Sequence, residues 1–365
     1  MNNNFIYFPI IKTRDSELRC FKHLSEDIFN KTLPIYELTK SRKTKLSPDG
    51  DINKRMLEIG EIQKGKPFIL DVTTDDRYAN PQTRSLLNNY HGFSEWYHFL
   101  FDSYKNLNII PMIHLYESDD FSDLQSFVSN CCLSENKYSL AIRLPYDIDK
   151  DFIIRCLEAI SASLSETCKL YIILDVGYFR EKPETVQATI DKNQDKTSLT
   201  CSELTNFKSI IQDVVVASTS FPRAPAEAGK HDNAGSFDIY EKKLFQSLLL
   251  DFPEIKYGDY ASINTEQIEI KAATFVPRID IVSEDGNSFS YRRVRRQNGG
   301  YIKCAQEVLS NDCNYINLNS WANKQINLAA QGSPEGISPS FWISVRMNYY
   351  ITNRIKVIEK INDLF

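Results

Sequence analysis

The sequence lacks the features that most often assign a protein to a class. No apolar run approaches the roughly 20 residues that cross a bilayer. Residues 1–5 have no basic segment leading into an apolar one, so we expect no signal peptide, no membrane association and a cytoplasmic location. The eight cysteines form no C-x-x-C spacing and lie beside no spaced histidines, which argues against a zinc site. A P-loop, G-x-S-x-G, H-E-x-x-H and a kinase signature are all missing, so no motif assigns a reaction or a cofactor.

An excess of charge of one sign is also missing. The chain has 43 Lys+Arg and 48 Asp+Glu among 365 residues, a net charge of −5, so we expect no general attraction to nucleic acid or to an anionic membrane. The densest basic run, Arg292, Arg293, Arg295 and Arg296 after Tyr291, would allow an RNA or anion contact. The interpretation that we favour is a solvated hairpin edge protected by charge.

What the sequence does contain is an alternation of short β-like runs and longer helical stretches. The predicted strands are 6–12, 33–38, 67–72, 109–115, 138–144, 170–176, 213–218 and 257–263. The predicted helices are 16–29, 52–63, 83–104, 121–132, 150–164, 202–211 and 237–250. Eight strands in this alternation predict an α/β fold, a (β/α)8 TIM-like barrel over residues 1–270. An open doubly wound sheet is the competitor, but no glycine-rich turn follows the first strand.

The last hundred residues break this alternation. Runs at 275–282 and 288–296 flank an Asp-Gly pair, which predicts a β-hairpin. Helical stretches follow near 301–309, 320–330 and 340–361. We therefore expect residues 271–365 to form a C-terminal β-hairpin plus helical appendage packed on the barrel.

Six of the predicted strands carry one ionisable residue between apolar neighbours near the carboxyl end. Because side chains alternate along a strand, these residues point into the barrel at the end where active sites of this fold lie. They are Lys12, Glu37, Asp71, His114, Arg143 and Asp175.

We interpret this set as a charged pocket. Glu37, Asp71, His114 and Asp175 would supply acid–base groups, and Lys12, Arg143 and the loop residue Arg223 would bind an anionic ligand. The opposing interpretation is a salt-bridged plug without catalysis. A metal bound by Glu37, Asp71 and Asp175 is a further alternative that no local spacing requires, and we predict none. Residues 218–236, which include Lys230 and His231, would form either a lid over the pocket or an ordinary surface loop.

With these motifs assembled, the chain resembles the phage and prophage beta protein family over nearly its full length. The resemblance is carried by Tyr7-Phe8-Pro9-Ile10-Ile11-Lys12, Pro34-Ile35-Tyr36-Glu37, Tyr257-Gly258-Asp259-Tyr260, and Ser338-Pro339-x-x-Trp342 ahead of Arg346 and Asn348. Tyr349-Tyr350 departs from it, since a histidine pair is more familiar there. The resemblance implies a protein of mobile-element cassettes linked to anti-phage defence or to a toxin and its antidote, and it implies no catalytic residues.

Two functional hypotheses follow. The first is a protein of anti-phage defence whose charged pocket binds or processes an anionic ligand, for example a nucleotide; whether it is an enzyme stays open. The second is a non-enzymatic sensor or antitoxin-like scaffold that binds a partner protein of the same cassette. Its interface would be the aromatic-rich appendage with Trp321, Phe341, Trp342, Tyr349 and Tyr350.

Overall fold

Eight parallel strands close into a barrel in the computed structural model, which describes residues 5–116, 120–134, 139–180, 182, 184–229, 233–265 and 275–364. In order around the barrel, the strands are β1 Tyr7–Lys12, β2 Ile35–Leu38, β3 Phe68–Val72, β4 Ile109–Ile113, β5 Ser139–Pro145, β6 Lys169–Tyr178, β7 Ile211–Thr219 and β9 Lys256–Asp259. The strand β8, Ala234–Asp238, belongs to a second sheet. All eight predicted strands are present, and the barrel prediction is confirmed.

Helices cover the outside of the barrel. They are α1 Asp15–Lys22, α2 Glu26–Asn30, α3 Ile52–Gln63, α4 Pro81–Leu86, α5 Tyr90–His98 with a π-helical turn Phe99–Ser103, α6 Ser122–Leu133, α7 Lys150–Ser163, α8 Val186–Leu204, α9 Pro225–Ala228 and α10 Glu241–Leu249. The helix predicted at 202–211 is wrong, because the helix of this unit is α8 and residues from 211 onward are already in β7. The helices predicted at 16–29 and 83–104 are each divided in two.

Strand alternation separates two apolar layers, as a closed sheet requires. Every second side chain points outward and joins the large core between strands and helices, as Tyr36 and Leu70 do. The other side chains form a separate core inside the barrel, which includes Phe8, Ile10, Ile35, Ile69, Ile110, Met112, Ala141, Ile173, Val215 and Ala217. The interior layers therefore lead, strand by strand, to the ionisable residues at the carboxyl ends.

A second sheet of three antiparallel strands lies outside the barrel, in the order β10 Arg278–Val282, β11 Ser288–Arg293, β8. The predicted hairpin is confirmed, with Gly286 in the left-handed conformation (φ 71°) that its turn needs. The edge interpretation of the arginine run is wrong, because β8 pairs with the outer side of β11 and makes it the central strand. The segment that we predicted as a lid supplies this strand, while Lys230 and His231 lie outside the described residues.

Three helices complete the appendage: α11 Gly300–Asn311, α12 Trp321–Ala330 and α13 Pro339–Asn362. Trp342, Tyr349 and Tyr350 are buried, whereas Trp321 and Phe341 are half-buried, so most of the predicted aromatic interface is core. The predicted boundary at residue 270 falls outside the described residues. Within the part of the chain that the structure describes, no helix combines the length and the apolarity that crossing a membrane requires.

Candidate functional site

Arg143, from β5, lies at the centre of the carboxyl end of the barrel. It lies two residues after Ala141, so its side chain also points into the barrel, and its guanidinium group lies near the barrel axis. Nε and Nη2 donate to Asp175 Oδ2 at 2.9 and 2.7 Å, and Nη1 donates to Glu37 Oε2 at 3.2 Å and Asp71 Oδ2 at 3.1 Å. One guanidinium group thus binds carboxylates from three different strands, as its forked geometry allows.

Glu37 also binds the second cation of the site. Its Oε1 accepts a hydrogen bond from Lys12 Nζ at 2.7 Å and another from Thr73 Oγ1 at 2.9 Å. Lys12 and Glu37 are register partners at the ends of β1 and β2, which brings them together. Both oxygens of Glu37 are therefore engaged, one with each cation.

Tyr260 belongs to the same network, although our sequence reasoning did not assign it to the site. Its hydroxyl donates to Asp175 at 2.7 Å and accepts from Arg143 Nη2 at 2.9 Å. It lies two residues after Gly258, on the side of β9 that faces the barrel interior. The alternation of side chains along a strand could therefore have identified it. We call the side chains of Lys12, Glu37, Asp71, Arg143, Asp175 and Tyr260 the strand-end cluster.

Burial and neighbouring charges shift the pKa values of the cluster in different directions. Burial alone would raise the pKa of Glu37, but the charges of Lys12 and Arg143 outweigh it and hold that pKa below its ordinary value. Burial raises the pKa of Asp71 in spite of Arg143, and the charge of Glu37 adds to the increase. Burial also raises the pKa of Tyr260, so its phenol is neutral at physiological pH.

His114 lies beside the cluster without a hydrogen bond to it. Its Nε2 is 3.7 Å from Asp71 Oδ1, and neither ring nitrogen has a hydrogen-bond partner in the described part of the chain. The ring stacks on Trp96 at 5.1 Å between centroids and meets the edge of Phe93. Burial lowers the pKa of His114 to about 3, so the imidazole is neutral near pH 7.

Over the described ranges of the chain, the ion pairs of the cluster join three carboxylates, Glu37, Asp71 and Asp175, to two cations, Lys12 and Arg143. The space between the carboxylates is filled by the Arg143 guanidinium group. Among the described residues, no group of three or more His, Cys, Asp and Glu side chains is arranged to hold a metal ion.

Arg223, the third predicted ligand-binding residue, is exposed on the segment after β7. The hydrogen bonds and ion pairs of the strand-end cluster described above do not include it. The structure therefore brings together six of the seven predicted site residues, with His114 in van der Waals range of Asp71 and Arg223 apart from them.

A small pocket opens beside the cluster. Ile10, Lys12 and Glu37 line it from the barrel, Glu17 lines it from α1, and Tyr260, Ile263, Asn264 and Thr265 line it from the segment after β9. It encloses about 10 Å³, the space of one water molecule.

The sequence model of the Beta protein family matches residues 7–356. The chain belongs to the Beta protein family. It is 28% identical to "Protein beta" of Enterobacteria phage P4 over 363 residues, which covers 98% of this chain and 94% of that protein. No solved structure matches the chain significantly. The resemblance to phage beta proteins is thereby confirmed, and β1, β2, β9 and α13 carry its motifs.

Proposed function

We propose that this member of the Beta protein family acts in anti-phage defence and that the strand-end cluster is its functional site. The observation that supports this most is the convergence of Arg143 with three carboxylates at the carboxyl end of the barrel. Functional sites of this architecture lie at that end. Burying so many charges is costly, and a site that binds something polar gives a reason to retain them.

The ligand that we propose is small and anionic, held by Arg143 and Lys12. Their side chains are 22% and 14% exposed, so both cations reach the mouth of the barrel. Each is already paired with carboxylates, and an added anion must therefore replace a carboxylate or arrive together with a proton. Asp71 is the group that would take this proton, because its pKa is raised and it shares Arg143 Nη1 with Glu37.

This mechanism predicts that anion binding strengthens as the pH falls. Sulfate is a suitable probe because its charge stays constant between about pH 8 and about pH 5.5. We expect isothermal titration to show tighter sulfate binding at the lower pH. Lys12→Gln should weaken the binding about tenfold, the cost of one charge-assisted hydrogen bond. Binding that is independent of pH would argue against proton uptake at Asp71.

Phage plating tests the function itself. We expect the double variant Asp71→Asn, Asp175→Asn to lose protection against infection when it replaces the wild-type protein in its native cassette. Both substitutions preserve side-chain size, so circular dichroism and the melting temperature should show a folded protein.

Asp312→Asn is the matched control. The side chain of Asp312 is 1% exposed, against 10% for Asp71 and 16% for Asp175. It also pairs with an arginine, Arg292 at 3.4 Å, but it lies next to the second sheet. Protection should persist in this variant. If protection instead survives in the double variant, the strand-end cluster is a structural plug. The function then belongs to a scaffold that binds a partner, with the half-buried Trp321 and Phe341 as the first residues to substitute.

A further inference from the structure

The C-terminal helix reaches the candidate site through the segment 259–262. Asp259, the last residue of β9, is 1% exposed and accepts three phenol hydrogen bonds. They come from Tyr7 of β1 at 2.6 Å, Tyr257 of β9 at 2.9 Å and Tyr350 of α13 at 2.6 Å. One carboxylate thus connects the first strand, the last strand and the appendage.

The residue after this carboxylate is Tyr260, whose hydroxyl contacts Arg143 and Asp175. The next two residues, Ala261 and Ser262, have φ angles of 47° and 64°. Residues other than glycine rarely adopt this left-handed backbone conformation, and it persists only where surrounding contacts enforce it.

Those contacts are present on both sides of the strained pair. The Ala261 amide donates to Asp259 Oδ1 at 2.8 Å, and the Ile263 amide donates to the Tyr260 carbonyl at 2.8 Å. From α13, Arg346 Nε donates to Ser262 Oγ at 3.4 Å. The backbone that carries Tyr260 is therefore held at its first residue and at its last residue by the same helix.

Tyr350 has further support inside the appendage. Its hydroxyl accepts hydrogen bonds from Nε and Nη2 of Arg354 at 3.0 and 2.9 Å while it donates to Asp259. Arg354 is completely buried, and burial raises the pKa of Tyr350, so the phenol keeps its proton for Asp259. The hydrogen bond from Tyr350 to Asp259 is thus fixed in direction as well as in distance.

We propose that Tyr350 and Arg346 are positioning residues of the strand-end cluster, which rests on the proposed function for that cluster's role. They hold residues 259–262 in the strained conformation that keeps the Tyr260 hydroxyl on Arg143 and Asp175. The appendage thereby sets the geometry at the mouth of the barrel without contacting a ligand.

Fluorine NMR on the full-length protein tests this link. A single 3-fluorotyrosine at position 260, introduced by amber suppression, reports on the surroundings of that ring. Tyr350→Phe removes only the hydroxyl, and we expect it to shift the fluorine resonance by more than its linewidth. Tyr349→Phe is the matched control, since Tyr349 is equally buried on the same helix but its hydroxyl binds the Ile316 backbone. This control should leave the resonance in place.

A resonance that does not move in folded Tyr350→Phe would overturn the proposal. If that variant fails to fold, Ser262→Ala tests the proposal instead, because it removes the Arg346 contact without touching Arg354. We expect it to shift the same fluorine resonance. Phage protection is scored separately. A shifted resonance with full protection would uphold the positioning role and count against the proposed function of the cluster.

Discussion

At the scale of single residues, Glu37 and Asp71 share one guanidinium group, yet their pKa values move in opposite directions. Glu37 binds both Lys12 and Arg143, and these two charges outweigh its burial. Among the described residues, Asp71 pairs with one arginine or lysine, Arg143, and it lies close to the charge of Glu37. Ionised Glu37 is therefore stabilised by folding, and ionised Asp71 is destabilised by it.

We predict opposite effects of the two amide substitutions on stability near pH 7.5. Glu37→Gln should lower the free energy of unfolding by about 1–3 kcal/mol, because it leaves two cations short of a partner. Asp71→Asn should change it by less than about 1 kcal/mol, on the stabilising side, since two carboxylates then balance two cations. Urea unfolding of both variants and of the wild type measures these differences.

The pH dependence follows from the same shifts. The pKa of Glu37 is lowered in the folded state, so its contribution is present above the unfolded pKa and is lost as the pH falls through the folded pKa. The pKa of Asp71 is raised, so the benefit of Asp71→Asn appears above the unfolded pKa and disappears below it. An equal decrease in the free energy of unfolding of both variants at pH 7.5 would contradict this account. So would differences from the wild type that do not become smaller as the pH is lowered.

Cys132 is a second residue with an unusual environment. Its sulfur interacts with the Cys168 thiol, and the Ser165 amide donates to it at 3.5 Å; together these lower the pKa of Cys132 to about 6 against the effect of burial. Thiolates are the nucleophilic form. We predict that iodoacetamide at pH 7 labels Cys132 faster than the more exposed Cys313, as measured by mass spectrometry of tryptic peptides.

Cys168→Ala removes the thiol partner and should slow the labelling of Cys132. The neighbouring Cys131 is buried and should stay unmodified while the protein is folded. Faster labelling of Cys313 than of Cys132 would show that exposure, and not the thiolate, controls the rate.

At the scale of elements, β9 depends on a glycine that leaves room inside the barrel. A Cβ atom on Gly258 would lie 2.9 Å from Val215 Cγ1, 3.0 Å from Ala217 Cβ and 3.0 Å from the Phe8 carbonyl oxygen. We predict that Gly258→Ala lowers the free energy of unfolding by about 1–3 kcal/mol through overpacking. Gly60→Ala is the control, because in α3 it meets only a leucine side chain and gains helix propensity of up to about 1 kcal/mol. Similar losses in both variants would contradict this account.

The strands and helices that could be predicted from the sequence are those with a regular pattern of apolar residues. β3 and β5 read as apolar runs, so both their positions and the inward direction of Asp71 and Arg143 could be predicted. Tyr260 lies inside the predicted strand 257–263 and was still missed, because the rule selected only charged residues and histidines between apolar neighbours. Including tyrosine, and following the alternation from Gly258 to Tyr260, would have added it to the site.

The missed elements have weak local signals. α8 keeps the helical spacing on its buried face, but that face contains Asn193, Thr197 and Thr200, which read as surface residues. β8 has the sequence Ala-Gly-Ser-Phe-Asp, which has little strand propensity, and it forms because β11, 50 residues later, offers an unpaired edge. Long-range pairing of this kind is invisible to local patterns.

At the scale of the whole molecule, the barrel and the appendage share one core. The large apolar cluster includes Leu18 of α1, Ile281 of β10 and Ile355 of α13. α13 also satisfies buried polar groups of the barrel, through Tyr350 to Asp259 and through Arg346 to Ser262. Separating the two parts would expose apolar surface and leave these groups without partners, which makes independent unfolding costly.

We therefore predict that the chain unfolds in one cooperative step, although its sequence divides into a barrel and an appendage. The three tryptophans allow a direct test, because Trp96 is buried under the barrel helices while Trp321 and Trp342 belong to the appendage. The Trp321→Phe, Trp342→Phe variant reports on the barrel alone, and Trp96→Phe reports on the appendage. Their urea midpoints by fluorescence, each normalised to the circular-dichroism midpoint of the same variant, should coincide. An appendage transition that precedes the barrel transition would mean that α13 detaches while the barrel persists, and Tyr260 would then lose its positioning contacts before the strand-end cluster itself unfolds.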